Sequence, residues 1–146
     1  SQGPFVIEYN VRFGDPECQT LLRNLQTDIL KIIDYNLKDR LSDLTIRNKK
    51  QSVVCVVVAS KGYPGNYKKN KVISNLSKAQ SIKGVEIFHA GTALKKEKVI
   101  SSGGRVLAVT AQGNSIAHAR KIAYKAVEAI GWKEGFFRND IGQKNV

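Results

Sequence analysis

The segment between Phe5 and Arg12 carries three polar side chains whose types and spacing suit phosphate and metal chemistry. Glu8, Asn10 and Arg12 occupy every second position, so on an extended strand they project from one face at intervals of about 7 Å. A carboxylate and a carboxamide offer oxygen ligands to a divalent cation, and a neighbouring guanidinium can pair with phosphate. A solvent-exposed polar strand face has the same pattern, so the spacing alone leaves both interpretations open.

The elements that would position this row are a strand and a helix. Strict alternation of apolar and polar residues predicts that residues 5–12 form a half-buried strand. Its apolar face would consist of Phe5, Ile7, Tyr9 and Val11. Asp15 is then expected to cap a helix with Pro16 at its first position and Glu17 near its positive end.

Helical spacing of apolar residues continues from Leu21 to Ile33, which predicts one long helix or two consecutive helices ending near Asn36. From residue 44 onward, short apolar runs separated by turn residues predict an antiparallel sheet. The expected strands are Leu44 to Arg47, Ser52 to Ser60, Val72 to Ser74, Val85 to Ala90, Val99 to Ser101 and Arg105 to Ala111. Asn114 or Ser115 can cap a final helix that ends at Gly131. The predicted fold class is therefore α+β.

Composition limits the class of protein. The 146 residues include 24 Lys and Arg against 12 Asp and Glu, a balance that suits an anionic partner. The longest apolar run, Val53 to Ala59, is too short to span a bilayer, and the start does not have the organisation of a signal peptide, which predicts a cytoplasmic location. Cys18 and Cys55 form no zinc spacing and no disulfide framework, so both are expected to be reduced thiols in packed positions.

A longer motif narrows the interpretation of the polar row. Glu8 to Gln19, which includes the run Arg-Phe-Gly-Asp-Pro-Glu, closely resembles the signature of glycinamide ribonucleotide synthetases. Four further motifs are similar to the C-domain of that family in order and spacing: Ala59 to Gly65, Phe88 to Thr92, Gly103 to Val106 and Arg138 to Gly142. The resemblance spans nearly the whole chain.

The resemblance implies an ATP-dependent ligase of de novo purine synthesis that joins glycine to 5-phosphoribosylamine. Carried over to this sequence, Glu8 and Asn10 would hold Mg²⁺ or Mn²⁺, and Arg12 would be the catalytic arginine that stabilises the transferring phosphoryl or acyl-phosphate oxygens. ATP would be the co-substrate. Asp15 and Glu17 would bind glycine or the phosphoribosylamine amine, although a helix cap and a favourable first-turn charge already explain them.

Roles in the second half of the chain stay open. Gly104 permits close backbone approach, and Arg105 can pair either with the ribose 5-phosphate or with an acidic residue across a domain interface. The Lys61 to Gly65 motif suits a hairpin turn and also suits presentation of backbone amides to an anion. His89, at a strand end, fits a hydrogen-bonded structural histidine best.

The resemblance also implies a domain organisation. Residues 1–43 would be the last strand and helices of an ATP-grasp domain, and residues 44–146 a small antiparallel-sheet C-terminal domain with one main helix. The missing N-terminal portion of the same enzyme would then be a partner, and the chain alone would be inactive. Neither a membrane nor a nucleic acid is expected as a partner. The alternatives are a fragment of another ATP-grasp carboxylate–amine ligase, or a basic nucleic-acid-binding module.

Overall fold

The second half of the chain folds around a four-stranded antiparallel sheet. The structure, a computed structural model, describes residues 3–143. Its helices are α1 (Glu17–Asn24), α2 (Ile29–Leu37), a 3₁₀ turn (Leu41–Asp43), α3 (Leu76–Gln80) and α4 (Ile116–Ile130). Its strands are β1 (Ser52–Ser60), β2 (Val85–His89), β3 (Thr92–Lys95), β4 (Lys98–Ser101), β5 (Arg105–Gly113) and β6 (Gly135–Phe136).

The central sheet has the strand order β2-β5-β1-β6, and β3 pairs with β4 in a separate hairpin. β1 is rich in valine, whose branched side chain packs well on a pleated surface. It pairs with β5 along almost its whole length, from Ser52 opposite Gly113 to Ala59 opposite Arg105. These two long strands form the buried centre of the sheet.

Helix α4 covers one face of this sheet. Ala119, Ala123 and Ala126 are fully buried, and their small side chains allow the helix backbone to approach the strands closely. Ser115 caps the helix by accepting a hydrogen bond from the backbone N–H of His118, and Gly131 ends it in the left-handed conformation. The predicted boundaries of this helix are confirmed.

Helix α1 lies on the opposite face. The side chain of Gln112 in β5 donates to the backbone carbonyl of Arg23 at 2.9 Å, and the guanidinium of Arg23 donates to the carbonyl of Gly84 at 2.9 Å. Residues 17–37 form two helices, and Asp28 caps the second by accepting from Leu30 N at 2.8 Å. The sheet is therefore covered on both sides.

The predicted strand at residues 5–12 is wrong. This segment has no strand pairing with any described residue, and its apolar side chains face solvent. The exposed fractions are 72% for Phe5, 95% for Ile7, 85% for Tyr9 and 96% for Val11. A strand needs a neighbouring chain for its backbone hydrogen bonds, and no other described segment lies beside this one.

Other boundaries differ in smaller ways. Leu44 to Arg47 is irregular, with its backbone bonded to the loop before α2 through Gln26 and Thr27. Val72 forms only an isolated bridge to Ile100 instead of a strand. The sequence prediction did not include α3, β3 or the two-residue β6, because each is too short to show a period.

Candidate functional site

Glu8, Asn10 and Arg12 form a continuous hydrogen-bonded row. Asn10 Nδ2 donates to Glu8 Oε1 at 3.0 Å, and Arg12 Nη1 donates to Asn10 Oδ1 at 3.0 Å and to the backbone carbonyl of Phe13 at 3.0 Å. The three side chains thus share one side of the backbone, as their spacing predicts. All three are exposed, so the row faces open space.

Glu8 and Asn10 carry side-chain oxygens, the ligand type that Mg²⁺ and Mn²⁺ prefer. Mg²⁺ prefers oxygen ligands at about 2.1 Å in octahedral geometry, which places neighbouring ligands about 3 Å apart. Turning the Asn10 amide by half a turn would place its oxygen 3.0 Å from Glu8 Oε1. The same turn would give up the hydrogen bond that Arg12 Nη1 donates to Asn10 Oδ1. Two protein oxygens do not make a closed cage, and within residues 3–143 no cluster of three or more His, Cys, Asp and Glu side chains could hold a metal. Phosphate oxygens and water would complete the shell.

Asp15 connects this segment to the sheet and does not cap α1, so the predicted cap is wrong. Helix α1 begins at Glu17 with Pro16 at the cap position and no side-chain cap bond. The carboxylate of Asp15 instead accepts from Gln19 Nε2 at 2.9 Å and pairs with Arg105 Nη2 at 3.2 Å. Arg105 Nη1 also donates to the backbone carbonyl of Asp15 at 3.3 Å.

Glu17 lies against the backbone of Gly14. A Cβ built on Gly14 would be 2.3 Å from Glu17 Oε2, so a larger residue at position 14 would require this exposed carboxylate to move. The N–H of Cys18 bonds to the carbonyl of Gly14 at 2.9 Å, which closes the turn into α1. Glu17 is exposed and lies two residues after Asp15 in the sequence.

A β-bulge sets the direction of Arg105. Val58 pairs with Leu107, but the register then shifts and Ala59 pairs with Arg105, which leaves Val106 as an extra residue. A bulge reverses the alternation of all the side chains that follow it. Arg105 therefore projects from the same face as Ala59, Val57 and Cys55, which is the face that Asp15 covers.

Gly104 supports this arrangement by close packing. A Cβ on Gly104 would lie 2.2 Å from Cδ2 and 2.6 Å from Cε2 of Tyr63, so the aromatic ring rests on the glycine backbone. Ser60 is 2% exposed; its N–H donates to the carbonyl of Gly104 at 2.8 Å, and its hydroxyl donates to the carbonyl of Gly103 at 3.0 Å. The end of β1 and the start of β5 are thereby locked together.

The Lys61 to Gly65 segment is a turn, as one of its two interpretations predicts, but it does not connect a hairpin, because β1 pairs with β5 and β6 and not with β2, the next strand along the chain. Gly62 has a φ of +96°, and a Cβ there would be 2.1 Å from the carbonyl oxygen of Asn66. His89 Nδ1 lies 3.0 Å from Thr92 Oγ1, which agrees with a hydrogen-bonded structural role. Neither observation identifies a ligand.

Both cysteines are free thiols, and Cys55 is the buried one. Burial, together with the smaller effect of the negative charge of Asp15, raises the pKa of the Cys55 thiol to about 12. The thiol is thus protonated at neutral pH and is unsuited to nucleophilic chemistry. It serves as a small packing residue beneath the Asp15 segment.

Two residues that support the site were not assigned a role from the sequence. Tyr63 lies inside a turn motif whose glycines and proline dominate its interpretation. Gln19 lies at the i+4 position from Asp15, a spacing that favours a side-chain hydrogen bond on a helix, and this signal could have identified it. Tyr63 and Gly104 are 41 positions apart in the sequence, and no local pattern predicts a contact over that separation.

The fold and the site define a small mixed domain of helices and antiparallel sheet to which a polar segment with oxygen and guanidinium groups is attached. The sequence model of a protein family described as "Phosphoribosylglycinamide synthetase, C domain" matches residues 53–144. The chain belongs to this family.

Individual relatives agree with the family match. The phosphoribosylamine–glycine ligase of Brucella melitensis is 48% identical over 146 residues, which are all of this chain and 34% of that protein. The chloroplastic phosphoribosylamine–glycine ligase of Arabidopsis thaliana is 50% identical over 141 residues, covering 95% of this chain and 26% of that protein. The chain therefore spans about a third or less of the length of these relatives.

A solved structure supports the same assignment. The crystal structure of phosphoribosylamine–glycine ligase from Thermotoga maritima matches with a TM-score of 0.71 and 28% identity, over 94% of this chain and 33% of that one.

No helix within residues 3–143 is both long enough and apolar enough to cross a membrane.

Proposed function

We propose that this chain is the C-terminal part of an ATP-dependent ligase that joins glycine to 5-phosphoribosylamine and releases glycinamide ribonucleotide, ADP and phosphate. The observation that carries the proposal is the hydrogen-bonded row of Glu8, Asn10 and Arg12, which leads directly into Asp15 and its ion pair with Arg105. The names and the extent of the matching relatives support the same reaction.

The proposed chemistry starts with glycine, whose carboxylate is a poor acyl donor. Attack of this carboxylate on the γ-phosphate of ATP gives glycyl phosphate and ADP; the amine of phosphoribosylamine then attacks the acyl carbon, displaces phosphate and loses a proton. Phosphoryl transfer depends mainly on positioning and on charge neutralisation. Glu8 and Asn10 would hold Mg²⁺ or Mn²⁺, which neutralises phosphate charge when bound. Arg12 would donate hydrogen bonds to the transferring phosphoryl oxygens.

We assign the neighbouring groups to the acceptor substrates. Asp15 and Glu17 supply carboxylates suited to the ammonium of glycine or the amine of phosphoribosylamine. Arg105 supplies a guanidinium suited to the ribose 5-phosphate, and the exposed fraction of its side chain, 46%, leaves it accessible while it is paired with Asp15. Gly104 is buried beneath the Tyr63 ring, so in this proposal it acts by setting the backbone that carries Arg105.

The remaining walls of the site would come from the N-terminal portion of the same enzyme. In this proposal residues 1–43 complete an ATP-grasp domain and residues 44–146 form the C-terminal domain. Most of the large apolar side chains that are exposed among the described residues precede Ser52, which supports packing of the first part against another body. The proposed location is the cytoplasm, although the Arabidopsis relative is named as chloroplastic.

Reconstitution tests this proposal. In a chimaera, this chain replaces the aligned third of the Brucella melitensis ligase, to which it is 48% identical. We expect the chimaera to form glycinamide ribonucleotide from ATP, glycine and phosphoribosylamine. The 146-residue chain alone is expected to form none and to bind ATP–magnesium only as weakly and as salt-sensitively as any basic protein.

Glu8→Gln in the chimaera separates the metal assignment from folding. The substitution keeps the shape of the side chain and removes its charge, so we expect activity to fall by about 100-fold or more, since it removes charge neutralisation at a phosphoryl-transfer site. Glu97→Gln, at the tip of the β3–β4 hairpin, is the matched control and should leave activity unchanged. Activity that is indifferent to Glu8→Gln would refute the metal assignment.

A further inference from the structure

We propose that Tyr63 is a positioning residue that fixes the direction of Arg105 through Gly104, an inference that rests on the proposed function. Its ring occupies the space where any side chain at position 104 would lie, at 2.2 Å from a Cβ placed there. Gly104 is buried and directly precedes Arg105. The ring therefore contacts the backbone immediately before the arginine.

The turn that carries Tyr63 is itself fixed. The N–H of Tyr63 donates to the carbonyl of Ser60 at 3.0 Å, and the N–H of Ser60 donates to the carbonyl of Gly104 at 2.8 Å. The ring also packs against Tyr67, with centroids 6.2 Å apart and planes inclined by 60°. The backbone of Gly104 is thus hydrogen-bonded to Ser60 and also covered by the ring of Tyr63.

Arg105 requires such support because its own side-chain contacts are weak. Its pair with Asp15 is nearly half exposed on both sides, at 46% and 44%, and exposed ion pairs are worth about 1 kcal/mol or less. The bulge at Val106 sets which face Arg105 uses, and bulges are held by the contacts around them. Removing the Tyr63 ring would leave Gly103 and Gly104 with their hydrogen bonds to Ser60 and Gly91 but without the packing of the ring. Glycine itself restrains the backbone least, so this packing matters more here than at other residues.

A double-mutant cycle, measured by thermal unfolding of the 146-residue chain, tests the contact between the Tyr63 ring and Gly104. Gly104→Ala should lower the melting temperature because its methyl group would meet the ring. In a Tyr63→Ala background the same substitution should cost much less, because the ring is absent. Equal losses in both backgrounds would show that the ring does not occupy this space and would overturn the proposal.

Nuclear magnetic resonance of the same chain tests the positioning itself. The Arg105 Nε–H signal should shift or broaden in Tyr63→Ala and stay unchanged in Tyr63→Phe, which keeps the ring. Arg138 serves as the control, since it pairs with Asp140 and should respond to neither variant. An Arg105 signal that is identical in Tyr63→Ala and in the wild type would overturn the proposal without reference to activity.

Kinetics of the chimaera show whether the positioning matters for the reaction. Tyr63→Ala should lower kcat/KM for phosphoribosylamine by about 10- to 100-fold, as expected for a displaced substrate-binding group, while Tyr63→Phe should keep it. Added to Arg105→Ala, Tyr63→Ala should have no further effect, because its role passes through Arg105. A further loss in that background would indicate general structural damage, and a loss in Tyr63→Phe would indicate a direct role of the hydroxyl; either would refute positioning.

Absence of product with the wild-type chimaera would count against the proposed function alone, since the thermal and resonance tests do not depend on it.

Discussion

Asp15 and Arg105 are 90 positions apart in the sequence, yet the guanidinium of Arg105 contacts both the carboxylate and the backbone carbonyl of Asp15. This two-point contact joins the polar segment to the start of β5. It answers one of the questions that the sequence leaves open, because Arg105 does pair with an acidic residue. The pair remains accessible, so an incoming phosphate can compete with Asp15 for the same guanidinium.

The accessibility of this pair predicts that it contributes little to folding. Asp15→Asn should change the free energy of unfolding of the 146-residue chain by less than about 1 kcal/mol, since both side chains are nearly half exposed. Urea denaturation measures this change, and Asp34→Asn, which removes an exposed pair with Lys38, is the matched control. A loss of about 3 kcal/mol or more would instead indicate a buried, structurally essential ion pair.

The cap of α4 provides a prediction from local chemistry. Ser115 accepts a hydrogen bond from His118 N at 3.1 Å, so Ser115→Ala should destabilise the chain by about 1 kcal/mol. Asn114→Ala, one residue before the cap, should have an effect of at most about 0.5 kcal/mol. Thermal or urea unfolding of the two variants side by side measures the difference. Equal effects would show that the hydroxyl does not cap the helix in solution.

The second half of the chain was predictable because its signals are local. Apolar runs bounded by turn residues located β1 and β5, and the capping serine and terminal glycine located α4 to within a residue. The contiguous motif from Glu8 to Gln19 identified the candidate site through its resemblance to a family. Each of these signals lies within about 15 residues of sequence, the range over which periodicity and capping act.

The misplaced elements all depend on contacts with distant parts of the chain. Residues 5–12 have the alternation of a strand, but alternation does not provide a neighbouring strand to pair with. Asp15 has the chemistry of a cap, but its carboxylate pairs with Arg105, 90 positions away. The bulge at Val106, which orients Arg105, has no local sequence signal, because it is a property of the pairing between β1 and β5.

The buried thiol of Cys55 predicts a specific pH dependence. Burial raises its pKa from 9.0 to about 12, so the folded state keeps a proton that the unfolded state releases. Its contribution to stability is therefore complete below pH 9 and declines as the pH rises from there toward 12. The difference in unfolding free energy between the wild type and Cys55→Ala should shrink over this range. A difference that stays constant from pH 8 to pH 10.5 would contradict the raised pKa.

The same burial predicts slow chemistry at Cys55. In a Cys18→Ser background, iodoacetamide at pH 8 should alkylate the folded chain far more slowly than the urea-unfolded chain, because the reactive thiolate is absent and the sulfur is covered. Mass spectrometry follows the modification. Comparable rates in the folded and unfolded chains would show that the Asp15 segment does not cover this face.

The last prediction concerns the exposed apolar side of α2, formed by Leu30, Ile33 and Leu37. These side chains are 70%, 47% and 78% exposed, and their spacing places them along one face of the helix. In the proposed function this face packs against the N-terminal portion of the ligase. Leu30→Ser with Leu37→Ser should then weaken binding of the 146-residue chain to the separately expressed remainder of the Brucella ligase. Each buried leucine contributes about 1.5–3 kcal/mol, so the double variant should lose about 100-fold or more in affinity.

Leu94→Ser, on the β3–β4 hairpin and 74% exposed in the same chain, is the matched control and should bind as the wild type does. Equal weakening by Leu94→Ser would show that the loss reflects general surface polarity, and unchanged binding by the double variant would show that this side of α2 is not part of the interface.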